Sequence, residues 1–254
     1  MTVGSVTLLV LAGLVAGSLN AVAGGGSLVS FPALLATGLS GVSANVTNTV
    51  ALWPGYVGGA LGYRRELTTD RRTVVPLAVT SVVGAAGGCV LLLTTPAAVF
   101  TAVVPWLVLG GTALFAVQPP LTARMRGSVE GRSAAADGPG PIAHAGVLLA
   151  SVYGAYFGAG VGIMLLAVLG TLLPVDLQRA NGIKNALSTA INTVAMLAFA
   201  VLGPVDWAAV LVMASASLIG GVAGARVAKR LPARGLRAFV IAFGAVVGVA
   251  LLLR

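Results

Sequence analysis

Apolar stretches separated by short polar loops run along almost the whole chain. Only 8% of the 254 residues are charged and 58% are hydrophobic, whereas about 25% of the residues in a soluble domain are charged. So few charges cannot cover a water-facing surface, so we predict an all-α polytopic membrane protein. The predicted segments are 4–22, 27–40, 42–63, 73–93, 97–118, 142–157, 161–174, 182–202, 206–225 and 237–253.

The N-terminal segment and the net charge could each suggest another class of protein. In this chain both are explained by a membrane protein. Residues 1–22 lack the basic start and the A-x-A site of a signal peptide, so we interpret them as a first span. The net charge of +9 would suggest nucleic acid in a soluble protein. In a membrane protein, basic residues collect in cytoplasmic loops, so we expect no nucleic-acid partner.

Residues suited to catalysis or to metal binding are scarce. The one cysteine, Cys89, excludes an intramolecular disulfide and is interpreted as a packing residue. The one histidine, His144, lies at the start of a segment, and the six acidic residues fall in loops or at segment ends. The sequence contains no H-E-x-x-H motif and no plausible nucleophile–base pair. We therefore expect neither an enzyme nor a bound cofactor or metal.

The two halves of the chain repeat each other. A shift of 136 positions aligns landmarks without a gap, and "SVVGAAGG" from Ser81 falls on "SLIGGVAG" from Ser217. We predict a duplication with a first repeat at 1–118, a cytoplasmic linker at 119–141 and a second repeat at 142–254. Other coincident pairs are Gly24 with Gly160, Gly26 with Gly162, Asn45 with Asn181 and Asp70 with Asp206.

The charges of the loops predict that the second repeat is inverted. The loop at 64–72 carries four arginines, and its equivalent near 200–208 carries no basic residue. Conversely, the uncharged loop near 94–98 corresponds to the basic stretch 226–237. Corresponding loops therefore lie on opposite sides of the membrane by the positive-inside rule. Five segments per half satisfy this pattern and place both termini outside, an architecture found in many secondary transporters.

Glycine clusters interrupt the apolar pattern at matching positions, in "AVAGGGSLVSF" and "YFGAGVGIMLL". The segments that follow, 28–40 and 163–174, are too short to cross a bilayer upright. A helix that begins after glycines directs free N–H groups and a partial positive charge at the break, which suits an anion. Broken helices form substrate sites near the midplane in inverted-repeat transporters, although glycines also serve close helix packing.

Polar side chains follow each break, in "ANVTNTV" at 44–50 and in "ANGIKNALSTAIN" at 180–192. Lys184, Ser188 and Asn192 are spaced by four residues and therefore share one helix face. A lysine within a span costs about 2.5–3.5 kcal/mol on insertion scales, so it either meets a negative partner or snorkels to the interface. For the asparagines and threonines, hydrogen bonding between helices is the alternative to ligand binding.

The chain resembles the sulfite exporter TauE/SafE family, also called the toluene sulfonate uptake permease family. In the first half the resemblance rests on "GLVAGSLNAVAGGGSLVSFPALLATGLSGVSANVTNTVALWPGYVGGALGYRREL". In the second half it rests on "YGAYFGAGVGIMLL", "QRANGIKNALSTAINTVAMLAF", "GPVDW" and "SLIGGVAGARVAKRLP". The resemblance implies a carrier in the bacterial inner membrane for sulfite, organosulfonates or related small carboxylates. It implies nothing about the direction of transport.

We predict that the anion binds between the two glycine breaks, near a pseudo-two-fold axis. The N–H groups of Gly26 and Gly162 would donate to it, and Lys184 would supply the charge that suits a monoanion. A pore is the alternative to a carrier, and a membrane-embedded enzyme is the alternative from a different class of protein. The predicted partners are the anion and the bilayer, with a coupling ion (proton or sodium) and a homodimer left open. The expected site residues are Asn20, Gly25, Gly26, Ser27, Thr47, Asn48, Gly160, Gly162, Lys184, Asn185 and Asn192.

Overall fold

The computed structural model describes residues 1–22, 25–62, 71–128, 139–173, 175, 177–227 and 233–253. Within these ranges all regular structure is helical, which confirms the predicted all-α fold. The described helices are α1 (Val3–Val22), α2 (Ser27–Ala36), α3 (Gly41–Gly62), α4 (Arg71–Thr94), α5 (Ala97–Ser128), α6 (Pro141–Tyr156), α7 (Val161–Leu172), α8 (Leu177–Leu202), α9 (Trp207–Val227) and α10 (Ala233–Leu252).

These helices coincide with the ten predicted apolar segments, apart from shifts at their ends. Five of the described helices are long and apolar enough to cross a membrane. Large apolar side chains such as Leu211 and Val246 are exposed on the outside of the bundle, where lipid would surround them. The fold is therefore that of a multi-spanning membrane protein. The five stretches are Val3–Asn20, Arg71–Thr94, Ala97–Val117, Arg179–Leu202 and Trp207–Gly224.

Helix α5 is longer than the sequence predicts. We expected its segment to end at 118, but the helix continues through Pro119 and Pro120 to Ser128. Consecutive prolines usually end a helix because each one removes an N–H donor, so the sequence predicts a boundary before them. The start of the predicted linker 119–141 is therefore helical, while the division of the chain into two repeats stays a prediction.

Helices α2 and α7 are the short, glycine-broken segments that the sequence predicts. They contain 10 and 12 residues, which corresponds to roughly 15–18 Å, about half of the hydrocarbon core. The backbone before them is left-handed, with φ of 109° at Gly25, 81° at Gly158 and 84° at Gly160. Glycine adopts this conformation without strain, so these residues shape the breaks themselves and do more than permit close packing.

The first helix of each half packs on the fourth helix of the other half. Helix α1 lies along α9, where Gly17 faces Ser217 and Gly221, and α6 lies along α4, where Gly88 faces Val152. Glycines at these contacts let the two backbones approach closely, as is common between membrane helices. A two-fold axis relating the halves would produce these two reciprocal contacts, α1 with α9 and α6 with α4.

This packing predicts different effects for two adjacent glycines of α4. A Cβ on Gly88 would overlap the Val152 carbonyl oxygen and lie 2.9 Å from the Ala155 Cβ, whereas one on Gly87 would meet its nearest neighbour at 4.0 Å. We expect Gly88→Ala to lower the free energy of unfolding by about 1–3 kcal/mol through overpacking. Gly87→Ala should be neutral or stabilising, because alanine favours a helix. Thermal unfolding in detergent measures both, and equal melting temperatures would contradict the described contact.

Helices α3 and α8, the third of each half, cross in antiparallel orientation. Trp53 Nε1 donates to Thr193 Oγ1 over 2.9 Å, and Thr189 Oγ1 donates to the Tyr56 carbonyl oxygen over 3.2 Å. Trp53 and Thr189 are themselves equivalent in the 136-residue register. Equivalent stretches of the two halves therefore meet at this crossing, which is where a pseudo-two-fold axis would pass.

Loops without a basic residue meet at one end of the bundle. Ser43 Oγ donates to the Pro204 carbonyl oxygen over 2.8 Å, and a Cβ on Gly41 would lie 3.4 Å from the Phe100 ring. The starts of α3 and α5 and the loop before α9 share this end, and α4 begins at the other end with Arg71. Helices α4 and α9 therefore run in opposite directions, as inverted repeats require. Which end faces the cytoplasm, and the repeat relation itself, stay predictions.

Candidate functional site

The two glycine breaks lie next to each other. The Ser27 hydroxyl oxygen is 3.9 Å from the position that a Cβ on Gly158 would occupy. The rings of Phe31 and Phe157, one from each half, pack edge to face with their centroids 5.3 Å apart. The starts of α2 and α7 therefore approach each other, as a site between the breaks requires.

Buried polar side chains of α2 and α3 form a hydrogen-bonded network beside the first break. Asn48 Nδ2 donates to Ser27 Oγ over 3.1 Å, and Ser30 Oγ donates to Asn48 Oδ1 over 2.5 Å. Ser30 Oγ also lies 3.2 Å from the Gly26 carbonyl oxygen, to which it donates. All three side chains are buried, so these bonds replace the water that the groups have lost.

Tyr56 connects this network to the second half of the chain. Its hydroxyl group interacts with the side chains of both Ser27 and Asn192, and Asn192 Nδ2 donates to the Ser188 carbonyl oxygen over 2.8 Å. Tyr56 and Asn192 are equivalent in the 136-residue register, so two equivalent side chains meet near the crossing of α3 and α8. A hydroxyl group both donates and accepts, which suits it to a position between two polar neighbours.

Lys184 extends the row of polar side chains along α8. It lies on the same helix face as Ser188 and Asn192, two turns before Asn192. Its side chain is only 1% exposed, and its Nζ has no hydrogen-bond partner among the described residues. A snorkelling lysine keeps its ammonium group in water, so Lys184 does not snorkel in this conformation. We call the row of buried side chains the polar path; it consists of Ser30, Asn48, Ser27, Tyr56, Asn192, Ser188 and Lys184.

The model of the sulfite exporter TauE/SafE family matches residues 9–251 of the chain. The chain belongs to this family. The match covers both halves and all ten described helices, in part or in full, so the polar path lies within the family domain.

Three relatives of this TauE/SafE protein carry names that state transport and no substrate. The "probable membrane transporter protein ORF9" of Sinorhizobium sp is 26% identical over 97% of this chain and 90% of its own length. A "probable membrane transporter protein" of Haemophilus influenzae is 27% identical over 84% of this chain and 81% of its own. The "probable membrane transporter protein YfcA" of Escherichia coli K12 is 29% identical over 86% of this chain and 77% of its own length. No solved structure matches significantly. The TauE/SafE protein is therefore a multi-pass membrane transporter.

Two asparagines of the TauE/SafE protein add further unpaired donors. Asn20 and Asn185 are buried, and the Nδ2 atom of each lacks a partner in the described part of the chain. Asn20 Oδ1 accepts a hydrogen bond from the Gly26 N–H over 2.8 Å. The backbone N–H of Gly26, which we expect to donate to the anion, therefore already has a partner in this structure. The donor offered at this break is therefore Asn20 Nδ2.

No such cap is found at the second break among the residues that the structure describes. The hydrogen bonds of the first turn of α7 come from the N–H groups of Val161, Ile163 and Met164, and none of them uses the N–H of Gly162. The residue equivalent to Asn20 is Tyr156, which has no amide oxygen to accept from it. The expectation that Gly162 offers its backbone N–H to a ligand therefore stays open at this break.

Three of the predicted site residues also make structural contacts. Thr47 Oγ1 accepts a hydrogen bond from the Asp206 N–H over 2.9 Å, at the loop before α9. Gly25 and Gly160 supply left-handed backbone, and a Cβ on Gly25 would lie only 3.0 Å from the Phe115 ring. These residues hold the breaks and the loop in place, so their contribution to a ligand site would be indirect.

The structure places Asn48 and Lys184, both of which we expect to face the anion, on opposite sides of the crossing of α3 and α8. Both precede the crossing of α3 and α8 by about two turns, and the two helices are antiparallel. Their Cα atoms therefore lie roughly 10 Å from the crossing in opposite directions. The candidate site is consequently an extended path across the pseudo-axis, with Asn48 at one end and Lys184 at the other.

Sequence reasoning missed Tyr56 and Ser30. An aromatic residue within a span is usually a packing residue, and a single serine is usually a neutral one, so neither drew attention. The 136-residue register nevertheless pairs Tyr56 with Asn192, which was predicted, and this signal would have identified Tyr56.

Proposed function

We propose that this TauE/SafE protein is a carrier for a small monoanion in the bacterial inner membrane. Sulfite, an organosulfonate or a related small carboxylate is the substrate class. The observation that carries the proposal is the buried ammonium group of Lys184 on the polar path, for which the described ranges supply no hydrogen-bond partner.

The charge balance around Lys184 favours an anion. Asp206 is the only acidic residue in the described ranges, and its Oδ1 accepts from the Ala209 N–H over 2.9 Å at the start of α9. An isolated charge in a membrane interior is costly, and an opposite charge with hydrogen bonds offsets that cost. The unpaired amide donors of Asn20 and Asn185 suit the oxygens of a sulfonate, sulfite or carboxylate group. One formal positive charge matches a monoanion.

The closed state of the polar path favours a carrier over a pore. All seven of its side chains are buried. A carrier passes through such an occluded arrangement as it exposes the site to each side in turn. Counterflow of labelled substrate into preloaded liposomes is the expected behaviour, whereas flux without counterflow would indicate a pore.

The same region offers little for catalysis. No group of three or more His, Cys, Asp or Glu residues that could hold a metal ion occurs in the described part of the chain. His144 Nδ1 shares a hydrogen bond with Thr80 Oγ1 over 2.6 Å, on helices that contribute nothing to the polar path. Transport is therefore the function that the site supports.

A thermal-shift screen of the purified protein tests the proposal. The ligands are sulfite, thiosulfate, sulfate, short organosulfonates and short carboxylates. A ligand that binds only the folded state raises stability by about 2.7 kcal/mol at a concentration of 100 Kd. We expect a shift for one or more monoanions and a smaller one for sulfate. No shift with any of them would contradict the proposed substrate class.

Tyr56→Phe should weaken binding of the anion found in that screen about 2- to 10-fold, because one buried hydrogen-bonding group is worth about 0.5–1.5 kcal/mol. The ring is retained, so the fold should not change. Tyr156→Phe is the matched control, since its ring packs on Phe100 outside the polar path. Isothermal titration measures both, and equal affinities would remove Tyr56 from the site.

A further inference from the structure

The C-terminal end of α6 collects buried oxygen atoms that lack hydrogen-bond donors. The helix ends at Tyr156, and the N–H groups of Phe157 and Gly158 both donate to the Tyr153 carbonyl oxygen, over 2.9 and 3.3 Å. The carbonyl groups of Gly154 and Ala155 therefore receive no backbone N–H from the residues that follow within the described chain. Both residues are buried, and a helix C-terminus carries partial negative charge.

Asn45 of α3 adds a side-chain oxygen to this helix end. Asn45 is 1% exposed, and its Nδ2 donates to the Tyr156 carbonyl oxygen over 2.8 Å. A carbonyl only accepts, so this bond fixes which way the amide points. The bond holds the Asn45 amide against the last residue of α6, and no donor for Asn45 Oδ1 occurs in the residues that the structure describes.

We propose that Asn45 Oδ1 and the carbonyl oxygens of the last turn of α6 bind a sodium ion. Hard cations prefer oxygen ligands, and divalent ions additionally require carboxylates in most protein sites. The proposed ligand oxygens are all neutral, so a monovalent cation fits the charge. The inference extends the proposed function, because it names the coupling ion of the carrier.

The position of this sodium site explains how it would couple to the substrate. The sodium site lies at the end of α6, just before the second glycine break. The start of α7 lies directly after the break. The polar path is reached at the same place, because Gly158 approaches Ser27 there. A cation on one side of the break and an anion on the other attract each other. Asn45 and Lys184 lie on opposite sides of the crossing of α3 and α8, so at roughly 25 Å and an effective dielectric constant of about 20 each ion should raise the affinity of the other about threefold. Such coupling is reciprocal.

Thermal unfolding of the purified full chain without any test anion examines the site by itself. The buffers contain sodium, lithium, potassium or choline chloride at one ionic strength, so general salt effects and chloride are constant. We expect the melting temperature to rise and saturate with sodium relative to choline. Equal melting temperatures in sodium and choline would overturn the proposal and would mean that water alone satisfies Asn45 Oδ1.

Variants assign the effect to Asn45. Asn45→Ala should lose the sodium-dependent shift, and Asn45→Asp, which keeps the oxygen, should retain it. Thr49→Val is the matched control, because it removes a buried hydroxyl one turn away that donates to the Asn45 backbone carbonyl over 3.1 Å. A full sodium shift in Asn45→Ala would overturn the assignment. Because no test anion is present, failure of the anion proposal would leave these results unchanged.

Discussion

Lys184→Met should remove most of the anion affinity and at the same time make the ligand-free protein more stable. Hydrogen bonds to a charged group are worth about 1.5–3 kcal/mol, so binding should weaken about 10- to 100-fold. Methionine keeps most of the volume and removes a buried charge that has no described partner, so the free energy of unfolding should rise by about 1–3 kcal/mol. Titration calorimetry and thermal unfolding measure the two effects separately.

The opposite signs of these two effects distinguish a binding lysine from a structural one. A lysine that only held helices together would lower stability when replaced. Lys184→Arg is the matched control, because it keeps the charge and should retain far more affinity than Lys184→Met. If Lys184→Met binds the anion as tightly as the parent protein, the lysine plays no part in binding and the charge argument fails.

The sequence predicted the helices well because few physical rules determine them. A bilayer requires apolar helices of a certain length, and the chain has too few charges to form anything else. The short helices α2 and α7 were also predictable, because glycines at 24–26 and 158–162 interrupt both halves at the same register. The left-handed φ angles of Gly25 and Gly160 show that the interruption is a backbone requirement.

The details of the site were less predictable because they depend on how the chain turns back. Gly26 looked like a free donor, but the return of α2 along α1 brings its N–H onto Asn20 Oδ1. A Cβ on Gly26 would overlap the Ala16 carbonyl oxygen, so the contact is between backbones and leaves no sequence signal. Thr47 Oγ1 likewise accepts from the Asp206 N–H, a contact that the sequence does not reveal.

The separation of Asn48 and Lys184 has a simple cause that the register already contained. Residues related by an inverted repeat lie on opposite sides of the axis, unless they sit on it. Asn48 and Lys184 are equivalent and both lie away from the crossing of α3 and α8. Tyr56 and Asn192 lie close to it and therefore meet. Inverted symmetry thus predicts a path with a central pair, and Lys184 makes one end of that path positive.

Gly26→Val should stop transport, because α2 cannot stay against α1 with a side chain at this position. A Cβ would overlap the Ala16 carbonyl oxygen and lie 2.8 Å from Asn20 Oδ1. Overpacking of this kind costs about 1–3 kcal/mol when the structure shifts to relieve it. The shift would move the adjoining Ser27, which receives the Asn48 hydrogen bond and contacts Tyr56. We expect uptake into liposomes to fall at least about tenfold, because about 1.4 kcal/mol corresponds to a tenfold change.

Gly110→Val is the matched control for Gly26→Val, because no atom lies within 4 Å of a Cβ at Gly110. It should fold and transport like the parent protein. Gly160→Asn tests whether a break fails because a side chain does not fit or because the backbone conformation is lost. The nearest atoms to a Cβ at this position are 3.6 Å away, and asparagine tolerates the φ of 84°. Gly160→Asn should therefore transport better than Gly26→Val. Size-exclusion chromatography confirms that each variant is folded, and normal transport by folded Gly26→Val would mean that this break serves helix packing alone.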